Sequence, residues 1–425
     1  MPGPRRGFFL GSVLMLLLTV GVLAGTVLFL RQVGKDSPVA AMRLDEIAGS
    51  FSRALTPAQQ AELPAPGTPP PPVATVQPLP AQTPAPRRLS MTIGGLLRYE
   101  SDVQASQSFQ EGGADILGSL APYLHGDLLI AGFDQVIPAE PKRLDNVLVP
   151  EAVPRQIRAA GFGALLVPGI HSFDSGFADA QYTLERIRAT HLQPLGLGPE
   201  EVQVLRVNGL SIAWLHEGRE VNAVGQKAAG GEERAQLLRA RSDEQLFEQV
   251  RALRPYHDVV VVSIAQGKQT GATPTAAQRT LARGLGQAGA DLILGMGAEQ
   301  VQEIEVYALP DAAGGQRDVL IAYSMGTLLT ANRNRREALS GVLLNLTLET
   351  RPGGQGLRYT SILYTPTYVR KWAEGGKQRF AILPSAAQAP EGMSNTQKEA
   401  MQRSLQLIQS AFQGSPAQLY THTDM

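Results

Sequence analysis

The chain contains no cysteine among its 425 residues. Disulfide bonds, thiolate nucleophiles and cysteine-ligated zinc are therefore excluded. The chain also lacks an excess of charge, because 38 basic residues balance 38 acidic ones and the formal net charge is zero. Binding to nucleic acid needs a basic surface, so this balance argues against a nucleic-acid partner. The hydrophobic content of 43% is enough for a sizeable core.

Charged residues are also absent from residues 7–30, a run of 24 residues. A membrane-spanning helix needs about 20 apolar residues, whereas the apolar core of a cleaved signal peptide has only about 7–15. The run therefore predicts a single-pass transmembrane signal anchor in the lipid bilayer, with a cleaved signal peptide as the alternative. Basic residues flank both ends. The usual arrangement leaves residues 1–6 as a short cytoplasmic tail and places the rest outside the cytoplasm, on the cell membrane.

Residues 31–88 are predicted to be a juxtamembrane and proline-rich linker. Ten prolines fall between Pro64 and Pro86. Such a composition favours extended polyproline II and cannot build a packed core, so the segment is interpreted as a semi-rigid spacer. A proline-rich ligand for a partner domain is the alternative.

Strand and helix patterns alternate after the linker. Met91–Leu97, Asp127–Ala131 and Ala164–Val167 are predicted strands, and Asn208-Gly209 is a typical two-residue hairpin turn. Helices are predicted over Gly113–Leu124 and Glu233–Leu253, with another beginning at an N-cap Thr273. The order predicts an α/β sandwich of two mixed sheets with helices outside. The domain is predicted over residues 89–390, followed by a C-terminal helix and tail over residues 391–425.

Two apolar runs between Asp258 and Val306 each end in a loop that contains glycine, Ala265–Gly267 and Gly295–Glu299. In α/β domains, ligands bind at the carboxyl ends of strands. These loops nevertheless hold almost no chemically active side chain.

Several segments, in the same order and at similar spacing, resemble the CapA family, the poly-γ-glutamate and capsule synthesis proteins with a metallophosphatase-like fold. The resemblance covers about Thr92 to Pro384, and its clearest segments are His171–Gly176, Gln287–Gly295, Glu305–Tyr307, Ile321–Thr327 and Tyr364–Val369. It implies a metallophosphatase-like α/β/β/α sandwich. It also implies a role in making or exporting an anionic surface polymer.

The resemblance further implies metal ligands in five loops, where this chain departs from the family. The corresponding positions hold Gly94-Gly95, Gly132-Phe133-Asp134, Gly169-Ile170-His171, Ala265-Gln266-Gly267 and Gly295–Glu299. A dinuclear site needs several oxygen or nitrogen ligands. The departures predict that the dinuclear site is absent and that no cofactor is bound, or at most one weakly held divalent metal on His171, Glu299 and Asp134.

His171, Asp174 and Asp134 are the candidate catalytic residues. Asp174 could orient the His171 imidazole as a general base; the alternative is a strand-end histidine satisfied by hydrogen bonds. Asp134 and Glu299 could form an acid pair, or could be solvated or paired with arginine. His216 and Glu217 could line the same cleft as His171 and Asp174.

A basic loop supplies the candidate ligand-binding residues. Arg333, Arg335 and Arg336 could grip the carboxylates of an anionic polymer, or form a solvated turn. Ser324, in the small-residue loop just before them, is a further ligand-binding candidate and lacks the G-x-S-x-G elbow of a nucleophile.

Three hypotheses follow from these patterns. The first is a membrane-anchored, extracytoplasmic CapA-like pseudoenzyme that binds polymer or partner subunits in the former metal cleft. The second is a divergent metallophosphatase-like hydrolase with a reduced site around His171. The third is a structural subunit that recruits a membrane-bound capsule synthase.

Overall fold

Two mixed β-sheets face each other at the centre of the structure, which is a computed structural model. It describes residues 86–265, 271–310, 315–351 and 356–421. These residues belong to one compact unit, Gln82–Met425. The predicted anchor and nearly all of the predicted linker lie outside the described residues. No helix of the described part combines the length and apolarity needed to cross a membrane.

The described residues contain fifteen strands. In chain order they are β1 (Arg88–Leu97), β2 (Leu128–Phe133), β3 (Ala164–Val167), β4 (Gln193–Gly196), β5 (Gln203–Val207), β6 (Leu210–Gly218), β7 (Val259–Ala265), β8 (Leu292–Met296), β9 (Ile304–Pro310), β10 (Gln316–Ala322), β11 (Thr327–Leu329), β12 (Ser340–Thr350), β13 (Leu357–Glu374), β14 (Lys377–Pro384) and β15 (Gln418–Leu419).

The first sheet has the order β14-β13-β12-β1-β2-β3-β4, with β11 paired to β1 and β15 paired to β13. Strands β1 to β4 run parallel, and β12 to β14 continue the sheet antiparallel on the other side of β1. The second sheet has the order β5-β6-β7-β8-β10-β9, with a parallel centre and antiparallel edges. Within each sheet, the parallel strands have their carboxyl ends at the same edge, where ligand sites of α/β domains usually lie.

The helices and 3₁₀ turns lie between these strands. The α-helices are α1 (Ser101–Gln104), α2 (Gln107–Gln110), α3 (Ala114–Leu117), α4 (Ala152–Ala159), α5 (Phe177–Ala189), α6 (Ala223–Ala228), α7 (Gly231–Ala235), α8 (Asp243–Leu253), α9 (Ala276–Ala288) and α10 (Asn395–Ala411). The 3₁₀ turns are Gly118–Tyr123, Arg254–Tyr256 and Arg336–Leu339.

Strand β7 shows how the layers are built. Alternate residues of a strand point to opposite faces, so Val261 packs into the core between the sheets while Val260 packs outward against α8 and α9. Because both faces are covered, the strand is a continuous apolar run. On the first sheet, Leu165 faces the layer that contains α4 and α5. The prediction of two mixed sheets in an α/β sandwich is confirmed.

Three predicted helices differ from those in the structure. The single helix predicted over Glu233–Leu253 is wrong: α7 ends at Ala235, and Ser242 caps the start of α8 through a reciprocal pair of hydrogen bonds with Gln245. Thr275, rather than Thr273, caps α9 in the same way with Gln278. The helix predicted over Gly113–Leu124 divides into α3 and a 3₁₀ turn.

The Asn208-Gly209 hairpin is confirmed. Both residues have positive φ, 51° and 74°, and they join β5 to β6. Two positive φ angles match the twist of the flanking strands, and Asn and Gly are the residues that adopt them most readily.

The last helix and strand are part of the same unit. Met401 of α10 packs in the core outside the first sheet, whereas Ile408 and Phe412 reach the core between the sheets. Strand β15 pairs with β13 beyond them. The chain after residue 390 therefore contributes to the core outside the first sheet and to the core between the sheets.

Candidate functional site

Two loops of the first sheet bring predicted catalytic residues together. Asp134 follows β2 and His171 follows β3, and these neighbouring strands run parallel, so both residues lie at the same edge of the sheet. The backbone N–H of His171 donates a hydrogen bond of 3.0 Å to Oδ1 of Asp134. Sheet order thus places side by side two residues that are 37 positions apart.

Asp174 and Asn222 orient the imidazole of His171. Nδ1 of His171 lies 2.8 Å from Oδ2 of Asp174, and Nδ2 of Asn222 donates to the same oxygen at 2.8 Å. The Asn222 amide is itself fixed, because its Oδ1 accepts the backbone N–H of Gly225 at the start of α6. Nδ2 of Asn222 also lies 2.6 Å from Nδ1 of His171, so the amide and the carboxylate both contact this ring nitrogen and leave Nε2 free of them.

Asp134, which accepts from the backbone of His171, is only 2% exposed. Its Oδ2 has no hydrogen-bond partner in the described part of the chain. Burial raises the pKa of Asp134, and the neighbouring His171 and Arg98 only partly oppose that rise. Asp134 is consequently a buried carboxyl with one free acceptor, held against the loop that carries His171.

The carboxylates also change the basicity of His171. Burial lowers the pKa of His171, but the hydrogen bond to Asp174 and the charges of Asp134 and Asp174 outweigh burial, so the pKa is raised above its ordinary value. The arrangement can therefore hold an imidazolium at higher pH than a free histidine, or act as an oriented base once deprotonated.

This raised pKa gives a signed prediction for stability. The charged imidazole stabilises the fold fully below the unfolded-state pKa of about 6.5, and this contribution is lost as the pH rises through the folded-state pKa. His171→Gln should lower the free energy of unfolding by about 1.5–3 kcal/mol at acidic pH, the range for hydrogen bonds to charged groups, and by less at alkaline pH. Urea denaturation at about pH 5.5 and pH 9 measures this difference. His191→Asn, at an exposed position, is the control; an equal or larger effect of His171→Gln at the alkaline pH would contradict the prediction.

Glu299 is held by two arginines. Nη1 of Arg335 lies 2.5 Å from Oε2 of Glu299, and Nη1 of Arg98 lies 4.0 Å from Oε1. Arg98 comes directly after β1, and its charge also acts on Asp134 and His171. The guanidinium of Arg98 thus places a positive charge near Asp134 and Glu299.

The predicted basic loop divides between two places. Arg335 faces Glu299, whereas Arg333 donates from Nη1 to the carbonyl oxygen of Val369 at 2.7 Å and lines a separate groove with Arg336. Ser324 is 2% exposed; its hydroxyl donates to the carbonyl of Ala298 and accepts the backbone N–H of Gly326. Ser324 is therefore buried and stabilises a turn.

His216 joins the two sheets below the site. Its Nε2 lies 3.0 Å from the carbonyl oxygen of Pro168, and its Nδ1 lies 2.9 Å from the hydroxyl of Ser263. Burial lowers the pKa of His216 to about 4, so the ring is neutral at physiological pH. Glu217, also buried, is bound by Arg241 at 3.2 Å. His216 therefore contacts the loop before His171, whereas Glu217 is held by Arg241, and both side chains are buried.

At two of the five loops, the described chain leaves little room for a ligating side chain. A Cβ on Gly95 would lie 2.5 Å from the carbonyl oxygen of Gly326, so no aspartate has room there. The methyl group of Met296 lies against Gly132, in apolar packing between the sheets. Across the described residues, no group of three or more His, Asp or Glu side chains is arranged to hold a metal ion. Residues 266–270 of the fourth loop lie outside the described part.

Asn222 and Arg98 are the residues that sequence reasoning missed. Asn222 precedes α6 as its N-cap, and a search for Asn or Ser before a helical pattern could have found it as a cap but not as a partner of His171. Arg98 stands immediately after the first strand, where the resemblance directed attention to Gly94-Gly95 instead.

Comparison with known proteins places this fold in a family. The family model of the bacterial capsule synthesis protein PGA_cap matches residues 91–332, more than half of the chain. The chain therefore belongs to this bacterial capsule synthesis family, and the resemblance to CapA is confirmed. The PGA biosynthesis protein CapA of Bacillus subtilis (strain 168) is 26% identical over 165 residues, which is 37% of this chain. The match spans 40% of that relative's length.

Two solved structures show a distant similarity. A putative 5'-nucleotidase from Staphylococcus aureus in complex with alpha-ketoglutarate is 11% identical, with a TM-score of 0.40 over 75% of this chain and 58% of that chain. The calcineurin-like phosphoesterase YfkN from Bacillus subtilis is 12% identical, with a TM-score of 0.37 over 77% of this chain and 99% of that chain.

Proposed function

We propose that this protein serves capsule or poly-γ-glutamate synthesis or export without the dinuclear metal site, by binding the anionic polymer or partner subunits of a capsule synthase. Family membership supports the capsule role. The observation that carries the non-catalytic part is the filling of the strand-end edge by the chain itself. Gly95 has no space for a ligating side chain, Met296 occupies apolar space, and Glu299 is neutralised by arginine.

The predicted anchor completes this proposal. Residues 7–30 would hold the protein in the cell membrane, and the proline-rich linker would keep the folded unit outside the cytoplasm and away from the bilayer. Supporting evidence is the uncharged run of 24 residues and the ten prolines that follow. Deletion of residues 7–30 should move the protein from the membrane fraction to the soluble fraction.

Metal removal tests the proposal directly. Full-length protein purified in detergent should bind fluorescently labelled polyglutamate with the same affinity before and after treatment with EDTA, since no contact passes through a metal ion. Metal analysis after incubation with Mn²⁺ or Zn²⁺ should find less than one equivalent. A stoichiometric metal that disappears in His171→Ala would contradict the proposal, and failure of the wild-type protein to bind polyglutamate would exclude the polymer and leave partner subunits as the ligand.

One observation favours a second candidate, a hydrolase with a reduced site. His171 and Asp174 form an oriented dyad at 2.8 Å, and Asp134 adds a buried carboxyl beside it. Such a dyad could activate water as a general base without a metal. Release of product from a phosphate ester or from the polymer, abolished in His171→Ala and retained in the Arg155→Ala control, would support the hydrolase and exclude the binding-only role.

A further inference from the structure

A groove runs between α10 and the segment Arg333–Ser340, and β13 forms its floor. We propose that this groove binds an extended chain that bears carboxylates. The inference rests on the proposed polymer-binding function and assigns it to a place other than the His171 edge. The family match ends at residue 332, so the groove lies outside the matched segment.

The shape of the groove suits a linear ligand. Its volume is about 990 Å³, and residues of α10 from Thr396 to Ser410 line one wall. At 1.5 Å per residue, this wall is about 20 Å long. A smaller cavity of about 230 Å³ shares Leu407 and Ser410 with the groove and extends it toward Thr273. An extended α-linked chain rises about 3.3 Å per residue, so the wall could contact about six of its residues, and fewer residues of a γ-linked chain, which has two more backbone atoms per residue.

The charge of the groove favours an anion. Four cationic and two acidic side chains line it: Arg333, Arg336, Lys371 and Arg403, with Glu337 and Glu399. Lys371 is already paired with Asp102 at 2.6 Å. Arg336 and Arg403 are exposed and make no ion pair with the described part of the chain. Two guanidinium groups on opposite walls are thus available to carboxylates, which arginine can bind through two parallel hydrogen bonds.

Arg333 adds a partly buried positive charge at the base of the groove. Its Nη1 donates to the carbonyl oxygen of Val369, while its Nε and Nη2 have no partner in the described part of the chain. No carboxylate of the described residues pairs with it, and burial lowers the pKa of Arg333. The guanidinium carbon lies 5.7 Å from the centroid of the Phe380 ring, and Asp102 and Glu100 act on it only through their charges. An anion in the groove would offset the partial desolvation of this guanidinium.

Apolar groups between the cations match the remainder of such a ligand. Tyr368 and Trp372 line the groove from β13, and Leu407 of α10 is 46% exposed beside them. Arg370 stacks on Trp372, with its guanidinium carbon 4.4 Å from the ring centroid. A chain that carries carboxylates and methylene groups could place its apolar parts on these side chains and its charges on Arg336 and Arg403.

Charge reversal on both walls tests this assignment. Full-length Arg336→Glu/Arg403→Glu should bind labelled polyglutamate at least about tenfold more weakly than the wild type, which corresponds to about 1.4 kcal/mol. Binding by the wild type should also weaken as salt is added, because exposed charges are screened. Both residues are exposed, so the thermal midpoint should be unchanged. Arg155→Glu/Arg251→Glu, on exposed arginines of α4 and α8, is the matched control and should bind as the wild type does.

Other results would overturn the assignment in distinguishable ways. Unchanged binding in Arg336→Glu/Arg403→Glu, combined with lost binding in Arg335→Ala, would keep the polymer-binding function but move it to the Glu299 side. Absence of polyglutamate binding by the wild type would reject the function and the groove together. Tighter binding of single-stranded nucleic acid than of polyglutamate would reject the carboxylate assignment.

Discussion

Replacing Gly95 with aspartate is expected to lower the free energy of unfolding by about 3 kcal/mol or more, and not to create a metal ligand. The family pattern suggests aspartate at this position, so the substitution restores the motif. A Cβ at Gly95 would nevertheless lie 2.5 Å from the carbonyl oxygen of Gly326 and 2.6 Å from that of Met325. Both obstacles are backbone atoms, which cannot move aside as a flexible side chain can. Denaturation by urea measures the free energy of unfolding, and metal analysis of the folded variant measures metal binding.

Two variants separate the causes at Gly95. Gly95→Ala introduces the overlap without the charge and should already account for most of the loss. Gly118→Asp introduces the same side chain at an exposed glycine with no heavy atom within 4 Å of the added Cβ, and should change stability by less than about 1 kcal/mol. A Gly95→Asp protein as stable as the wild type that retains Mn²⁺ would show that β1 and the loop after β10 can separate, and that the site remains compatible with metal.

The second large effect is expected at Asp291, the aspartate of the Ala-Gly-Ala-Asp segment before β8. Asp291 is fully buried, accepts the backbone N–H of Val260 at 2.8 Å, pairs with Arg254, and has Arg317 at 3.6 Å. Asp291→Ala removes the carboxylate that accepts from the Arg254 guanidinium and the Val260 amide, and it removes the counter-ion of Arg317. Removing one partner of a buried ion pair lowers stability by about 3–5 kcal/mol, and we expect an effect of that size.

Asp102→Ala provides the comparison for Asp291. Asp102 forms an ion pair with Lys371 at 2.6 Å, but its side chain is 59% exposed. Exposed ion pairs contribute about 0–1 kcal/mol, so this variant should differ little from the wild type in urea denaturation. Equal losses in the two variants would contradict the view that the buried position, and not the ion pair as such, makes Asp291 structurally important.

Prediction from sequence succeeded where local patterns decide the structure. The strand Ala164–Val167 was predicted within its observed bounds, because four apolar residues between glycine and proline leave little choice. The Asn208-Gly209 turn was predicted from the two residues that accept positive φ. The helix predicted through Glu233–Leu253 failed because continuous periodicity concealed the cap at Ser242, whose hydrogen bonds with Gln245 begin a new helix.

The candidate site was predicted only in part for a different physical reason. His171 and Asp174 are three residues apart, and their hydrogen bond follows from that spacing in a turn. Asn222 is 51 residues from His171, and Arg335 is 36 residues from Glu299, so neither pair leaves a trace in local sequence. The arginines at 333, 335 and 336 were treated as one group, although the backbone directs Arg335 and Arg333 to different surfaces.

The sequence by itself determined the alternation of elements, the two-sheet class and the family, because each depends on residue types at fixed spacing. Tertiary structure alone decided that Gly95 faces backbone oxygens, that Met296 fills space beside Gly132, and that Arg98 brings charge to Asp134. It also decided that α10 forms a groove wall opposite Arg336. These contacts join residues far apart in the chain, and they exist only after the strands have paired and the sheets have packed together.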